Sequence, residues 1–141
     1  MQLSKFSDYS LRVLMYVGLR GEQASPVREI AGAFDVSTHH LTKVAHKLVE
    51  LGLLQARRGR GGGLVLAVPA EQIVVGEVVR ATENLDLVEC MADGGACVLA
   101  GGCRLQRALA RARDAFLAEL DLVGLDELLA PRRALRSRLQ L

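Results

Sequence analysis

The 141-residue chain has no tryptophan, only three prolines, and 4% aromatic residues. A core of stacked rings is therefore excluded. The interior must be aliphatic, built from the Leu, Val and Ala that dominate a 50% hydrophobic composition. No apolar run approaches the roughly 18 residues that span a bilayer. The opening Met1-Gln2-Leu3-Ser4-Lys5-Phe6 lacks the long apolar stretch of a secretory leader, so a cytoplasmic protein without membrane contact is expected. Cysteine is scarce as well. Three residues, an odd number, argue against structural disulfides in a reducing compartment. No histidine lies beyond His46, so no cysteine has a sequence-neighbouring base, and no enzyme is read from this chain.

Charge is near balance at +2 but unevenly placed. Residues 1–69 hold nine Lys/Arg against five Asp/Glu, and residues 70–141 hold nine against eleven. A basic front half suits a polyanion, although chance asymmetry on a solvated surface would look the same.

Periodicity in that front half is helical. Phe6, Leu11, Leu14, Met15 and Val17 make an apolar stripe over 6–19, with Ser7 read as its cap and Gly21 as its stop. Ser25-Pro26 opens a short helix through 33, with Val27, Ile30, Ala31 and Phe34 inward. Asp35-Val36 turns the chain. Ser37 caps a third helix over 38–51, closed by Gly52, whose buried stripe is Leu41, Val44, Ala45, Leu48 and Leu51. Its other face carries Thr38, His39, Thr42, Lys43, His46 and Lys47, the donors and positive charge that a major groove accepts. Strands over 53–58 and 64–68 flank the basic, glycine-rich tip Arg57-Arg58-Gly59-Arg60-Gly61-Gly62-Gly63. Glycine lets backbone approach phosphate, and a tip arginine fits a narrow minor groove. In this order the elements read as a winged helix-turn-helix. Thr38, His39, His40, Lys43, Arg58 and Arg60 are the candidate contacts to double-stranded operator DNA. His39 and His40 could equally face solvent.

The back half reads differently. A short helix covers 74–81, an irregular loop 84–102, and a long helix starts near Cys103. Leu105, Leu109, Ala112, Phe116, Leu120 and Val123 recur at steps of four, three, four, four and three, a near-heptad stripe suited to a homodimer seam. Packing within one chain is the alternative. The fold expected is mainly α with a small β-hairpin: a winged helix-turn-helix DNA-binding domain over 1–69, a short helix and cysteine-bearing loop over 70–102, a long dimerisation helix and short C-terminal helix over 103–130, and an arginine-rich tail over 131–141 with the composition of a partly disordered end.

Cys90, Cys97 and Cys103 fall within fourteen residues, spaced Cys-x6-Cys-x5-Cys. Zinc sites favour closer pairs or a Cys/His mixture. A thiol switch needs only a reactive cysteine and a resolving one, and stays open. An iron–sulfur cluster suits three thiolates in a loose, glycine-rich loop better. The amides of Gly94, Gly95, Gly101 and Gly102 could donate to its sulfides, and Cys103 would sit where a helix dipole favours negative charge. Three thiolates leave one ligand position to another group.

The segments Phe6-Ser7-Asp8-Tyr9-Ser10-Leu11-Arg12, Arg58-Gly59-Arg60-Gly61-Gly62-Gly63 and Val75-Gly76-Glu77-Val78-Val79-Arg80, with the three cysteines, resemble the NsrR/IscR class of winged-helix iron–sulfur regulators. The resemblance runs from residue 1 to about 130. It is stronger to the nitric-oxide-sensing NsrR type, because Gln106 stands where IscR-like proteins place a ligand histidine. It implies a homodimeric repressor holding a 4Fe–4S cluster, in preference to 2Fe–2S, that releases DNA on meeting nitric oxide. It also implies that Asp8, from the other subunit, is the fourth ligand. From the residues alone, Asp8 is an ordinary acid at a helix N-terminus. A thiol-redox or iron-status regulator of the same fold is the alternative, and a cluster carrier without a DNA role is a more distant one.

Overall fold

Ser4, rather than Ser7, begins the first helix: its hydroxyl accepts the Ser7 N–H at 3.2 Å. The cap moves up one turn because the Ser4 N–H is itself held by the Glu83 carboxylate at 2.7 Å, far along the chain. Ser7 is instead fully buried. The computed structural model describes residues 2–99 and 102–141. In chain order its elements are α1 (Lys5–Arg20), α2 (Val27–Phe34), α3 (Thr38–Glu50), β1 (Leu54–Arg57), β2 (Gly63–Leu66), α4 (Val75–Thr82), α5 (Arg104–Asp121), α6 (Leu125–Leu128) and α7 (Arg132–Arg138), with 3-10 turns at Ala70–Gln72 and Glu89–Met91.

The three front helices pack as a helix-turn-helix. Asp35 adopts the left-handed conformation (φ 51°) at the end of α2, and its N–H closes onto Ala31 and Gly32, which turns the chain into α3. Val13, Leu14 and Val17 of α1, Ile30 of α2, and Leu41, Val44 and Leu48 of α3 share one aliphatic core. Phe6, Leu11 and Met15, expected in the buried stripe of α1, lie at its edge; Val13, Tyr16 and Leu19 are inside instead. The difference arises because α1 is covered on several sides, by α3, α4, β2, α6 and α7.

β1 and β2 pair antiparallel with Leu54 opposite Leu66 and Arg57 opposite Gly63. Ser25 extends this hairpin by one bridge: its N–H donates to Leu64 O at 2.9 Å and its carbonyl accepts the Leu64 N–H at 2.8 Å. That pairing takes Ser25 away from capping α2. Pro26 occupies the cap, and the buried Ser25 hydroxyl has no hydrogen-bond partner. A side chain at Gly63 would run into the Ser25–Pro26 backbone, so the wing is seated on the loop before α2 only because this residue is glycine.

Behind the wing, α4 packs on α1 and α5 on α4. Arg80 of α4 donates twice to the Asp121 carboxylate of α5, at 2.5 and 2.6 Å, and this guanidinium holds the Asp121 carboxyl below its ordinary range. Gly76 leaves room for that carboxylate. Of α5 only Leu117 is buried; Phe116, Leu120 and, just after the helix, Val123 pack against the cluster that Leu117 forms with Val75 and Val79, while Leu105 is 66% exposed.

The arginine-rich tail, expected to be partly disordered, is helical as α7. Arg132 and Arg136 donate to Gly18 O and Leu19 O, each at 2.6 Å, and so cap the carbonyl end of α1. Leu135 and Leu139 pack on the core beside α6. Arginine content misled here because two of the charges are spent on a helix terminus rather than on water.

Leu129 is 2% exposed and lies against Gly18. Leu129→Ala should lower unfolding stability by about 2–5 kcal/mol in denaturant titration; a loss below about 1 kcal/mol would mean that the C-terminal helices do not secure α1. Glu83 gives a pH test. Burial raises its pKa, but the Ser4 N–H and the Ser7 and Ser4 hydroxyls outweigh that and hold it below the ordinary value. Its contribution is therefore complete above the unfolded pKa of about 4.3 and vanishes as pH falls through the lowered folded value. Glu83→Gln should lower the melting midpoint at pH 7, and the gap to wild type should close on acidification; a gap independent of pH would refute the linkage.

Candidate nucleic-acid interface and cysteine loop

α3 presents Thr38, His39, His40, Thr42, Lys43 and His46 to solvent, opposite Leu41, Val44, Ala45 and Leu48. The Thr42 hydroxyl donates to Thr38 O at 2.8 Å. His39 and His40 have ring centroids 6.1 Å apart on neighbouring parts of the exposed arc. Lys47 is paired with Glu50 at 3.2 Å. Among the described residues no carboxylate lies within ion-pair distance of Lys43, Arg58 or Arg60. These cations are available to phosphate.

At the wing tip Arg58 and Arg60 are exposed, between strands that end at Arg57 and resume at Gly63. Gly59 and Gly61 adopt φ 97° and 79°, which a side chain would resist, so the tip needs glycine at both places. Arg57 is not free: its guanidinium donates to Glu22 O at 3.0 Å and fastens the base of the wing to the loop after α1.

The three cysteines occupy three pieces of backbone. Cys90 lies in the 3-10 turn Glu89–Met91, Cys97 in the following loop, and Cys103 is the N-cap of α5. All are half-buried free thiols. Two sulfurs already accept backbone N–H groups, Cys97 from Leu99 at 3.4 Å and Cys103 from Gln106 at 3.5 Å. Gln106 also donates through its side chain to Cys90 O at 3.0 Å, which ties the first cysteine's turn to the helix that begins at the third. The sequence marked Gln106 only as a position without histidine; nothing in its spacing signalled this bond. The expected glycine donors fare differently. The Gly95 N–H is used by Ala92 O at 2.9 Å, and Gly101 lies outside the described residues. Among the described residues no three His, Cys, Asp or Glu side chains converge on a single ion.

Asp8 stands in the first turn of α1, and its carboxylate accepts from Arg12 Nε at 2.8 Å. Arg12 also lies over the Phe34 ring, 5.8 Å from its centroid. Within one chain Asp8 thus behaves as an acid placed at a helix N-terminus. No helix among the described residues is long and apolar enough to cross a membrane.

The model of the Rrf2 family, described as iron-dependent transcriptional regulators, matches residues 3–131. A protein of Geobacillus kaustophilus named HTH-type transcriptional regulator NsrR is 48% identical over 99% of this chain and 97% of its own length. Proteins of the same name from Shouchella clausii and Halalkalibacterium halodurans are 42% and 41% identical, over 99% and 100% of this chain and 96% and 99% of their own lengths. Among solved structures, CymR, the global cysteine regulator of B. subtilis, superposes with a TM-score of 0.74 at 27% identity over 91% of this chain and 95% of that one. IscR of T. potens shares the fold, at a TM-score of 0.73 and 20% identity over 92% of this chain and 86% of that one. The chain therefore belongs to the Rrf2 family of transcriptional regulators, and its resemblance to the NsrR/IscR class holds over nearly its whole length.

Proposed function

We propose that this DNA-binding regulator is a homodimeric repressor whose hold on its operator is governed by a nitric-oxide-sensitive iron–sulfur cluster. The observation that carries this reading is that all three cysteines fall within fourteen residues of one loop and helix start, where Gln106 hydrogen-bonds both the Cys90 carbonyl and the Cys103 sulfur. That donor set fits the group: half-buried sulfurs, two of which already receive N–H donors of the kind that disperse the charge of bound thiolates. Cys90, Cys97 and Cys103 would hold the cluster. Asp8 of the second subunit would complete it, and would have to release Arg12 to do so. When bound, the group supplies iron that reacts with nitric oxide. The NsrR name of the relatives fits that choice of signal, and 4Fe–4S in preference to 2Fe–2S is what the resemblance to the class implies.

The chain's own residues supply the rest. The exposed Leu105 of α5, at 66% and at the end of the apolar stripe that is not packed on α4, would be covered by the same helix of a second copy. Two copies then present two α3 helices to successive major grooves, where Thr38, His39, His40 and Lys43 meet bases and phosphates. Arg58 and Arg60 reach the minor groove from the wing tip.

Protein purified without oxygen should be brown, should contain iron and sulfide, and should shift promoter DNA until nitric oxide is added. A colourless preparation, zinc-loaded or carrying bare thiols, that releases DNA normally would exclude the cluster and favour a thiol switch. Arg60→Ala should make the slope of log affinity against log salt shallower by about 0.9 for each ion pair lost. An unchanged slope and affinity would remove Arg60 from the interface.

A further inference from the structure

The exposed arc of α3 has two edges, and each borders a trough. On the wing side, Thr42, His46 and Val49 face Ala56, Arg57 and Leu64 across a cavity of about 670 Å³. On the other side, His40, Lys43 and Val44 face Lys5, Phe6 and Tyr9 of α1 across a cavity of about 250 Å³. The spacing explains the division. Positions 40 and 43 lie one turn apart along one edge of the helix, and 42, 46 and 49 along the other. A helix is about 10–12 Å wide with its side chains, and a B-DNA major groove is about 12 Å wide. A helix lying in that groove therefore has one sugar–phosphate strand at each flank, and each trough faces one of them.

Accordingly, we propose that the trough between α1 and α3 is a backbone-phosphate site, and that Lys5 and Tyr9, on α1, are DNA-contact residues alongside Lys43. This rests on the DNA-binding reading and adds to it a second element, outside the recognition helix and the wing. The chemistry of the lining fits one strand of duplex. Lys5 and Lys43 are exposed, and among the described residues neither has a carboxylate within ion-pair distance. They approach the same cavity from two helices, so a single phosphate run can bridge them. Tyr9 offers a phenol donor to a neighbouring phosphate oxygen. Phe6 and Val44 give the mainly apolar floor on which a deoxyribose can rest. Lys5 and Tyr9 are four residues apart on one face of α1, so both reach the same strand. Because α1 and α3 share one core, the site is held at a fixed offset from the base-reading face.

The test uses full-length, anaerobically purified protein and two duplexes, a promoter fragment that wild type shifts and a random sequence of equal length. Affinity is measured across salt concentrations. Lys5→Gln should make the salt slope shallower by about 0.9 for each ion pair lost, and equally on both duplexes, since phosphate contacts carry no sequence information. Tyr9→Phe should weaken binding about three- to tenfold and leave the slope unchanged, because a neutral hydroxyl displaces no counterion. Lys5→Gln with wild-type slope and affinity would overturn the proposal. So would weaker binding at unchanged slope from Lys5→Gln, which marks a displaced α1 rather than a lost ion pair. A wild-type protein that binds neither duplex would instead refute the DNA-binding reading as a whole.

Discussion

The close packing of α1 is the constraint on which the rest depends. Leu14 and Val17 have no exposed surface, and the helix that carries them touches the recognition helix, the wing, α4 and both C-terminal helices. Its two ends are fastened by parts distant in sequence: Glu83 holds the Ser4 N–H, and Arg132 and Arg136 hold the last carbonyls. A side chain in a core of crystalline density cannot move without its neighbours. A displacement at the first turn of α1 must therefore be felt at α3.

That first turn is also where the regulatory chemistry would meet the reading head. Asp8, the candidate cluster ligand, lies between Lys5 and Tyr9, which line the trough beside α3. The cysteine loop starts directly after Glu83, which pins that turn, and ends at α5, which Arg80 and Asp121 lock to α4. The loop is thus bounded by α4, which packs on α1, and by α5, which packs on α4.

Much of this was legible in the chain itself. The stripe of α3, its polar face, the stop at Gly52 and the glycine-rich wing follow from local rules, because periodicity and left-handed glycines act within a few residues. α5 begins at Arg104 with Cys103 as its N-cap, at the position where the helical stripe starts. The misreadings share one cause, a partner far away in sequence. Ser7 lost the cap to Ser4 because of Glu83, seventy-nine residues beyond Ser4. Ser25 gave up its capping role to pair with Leu64. The tail became a helix because Gly18 and Leu19 offer carbonyls to its arginines. At the site, the three cysteines stood out by isolation, whereas the Gln106 bond that joins two of them could not be seen, since a glutamine on a helix face looks like solvent-facing polarity.

The most direct measurement replaces Cys90, Cys97 and Cys103 together by serine and follows promoter occupancy with and without nitric oxide. The account predicts a colourless protein whose occupancy is low and indifferent to nitric oxide. A triple variant that occupies the promoter as wild type does, and still leaves it under nitric oxide, would contradict the claim that these sulfurs govern DNA binding.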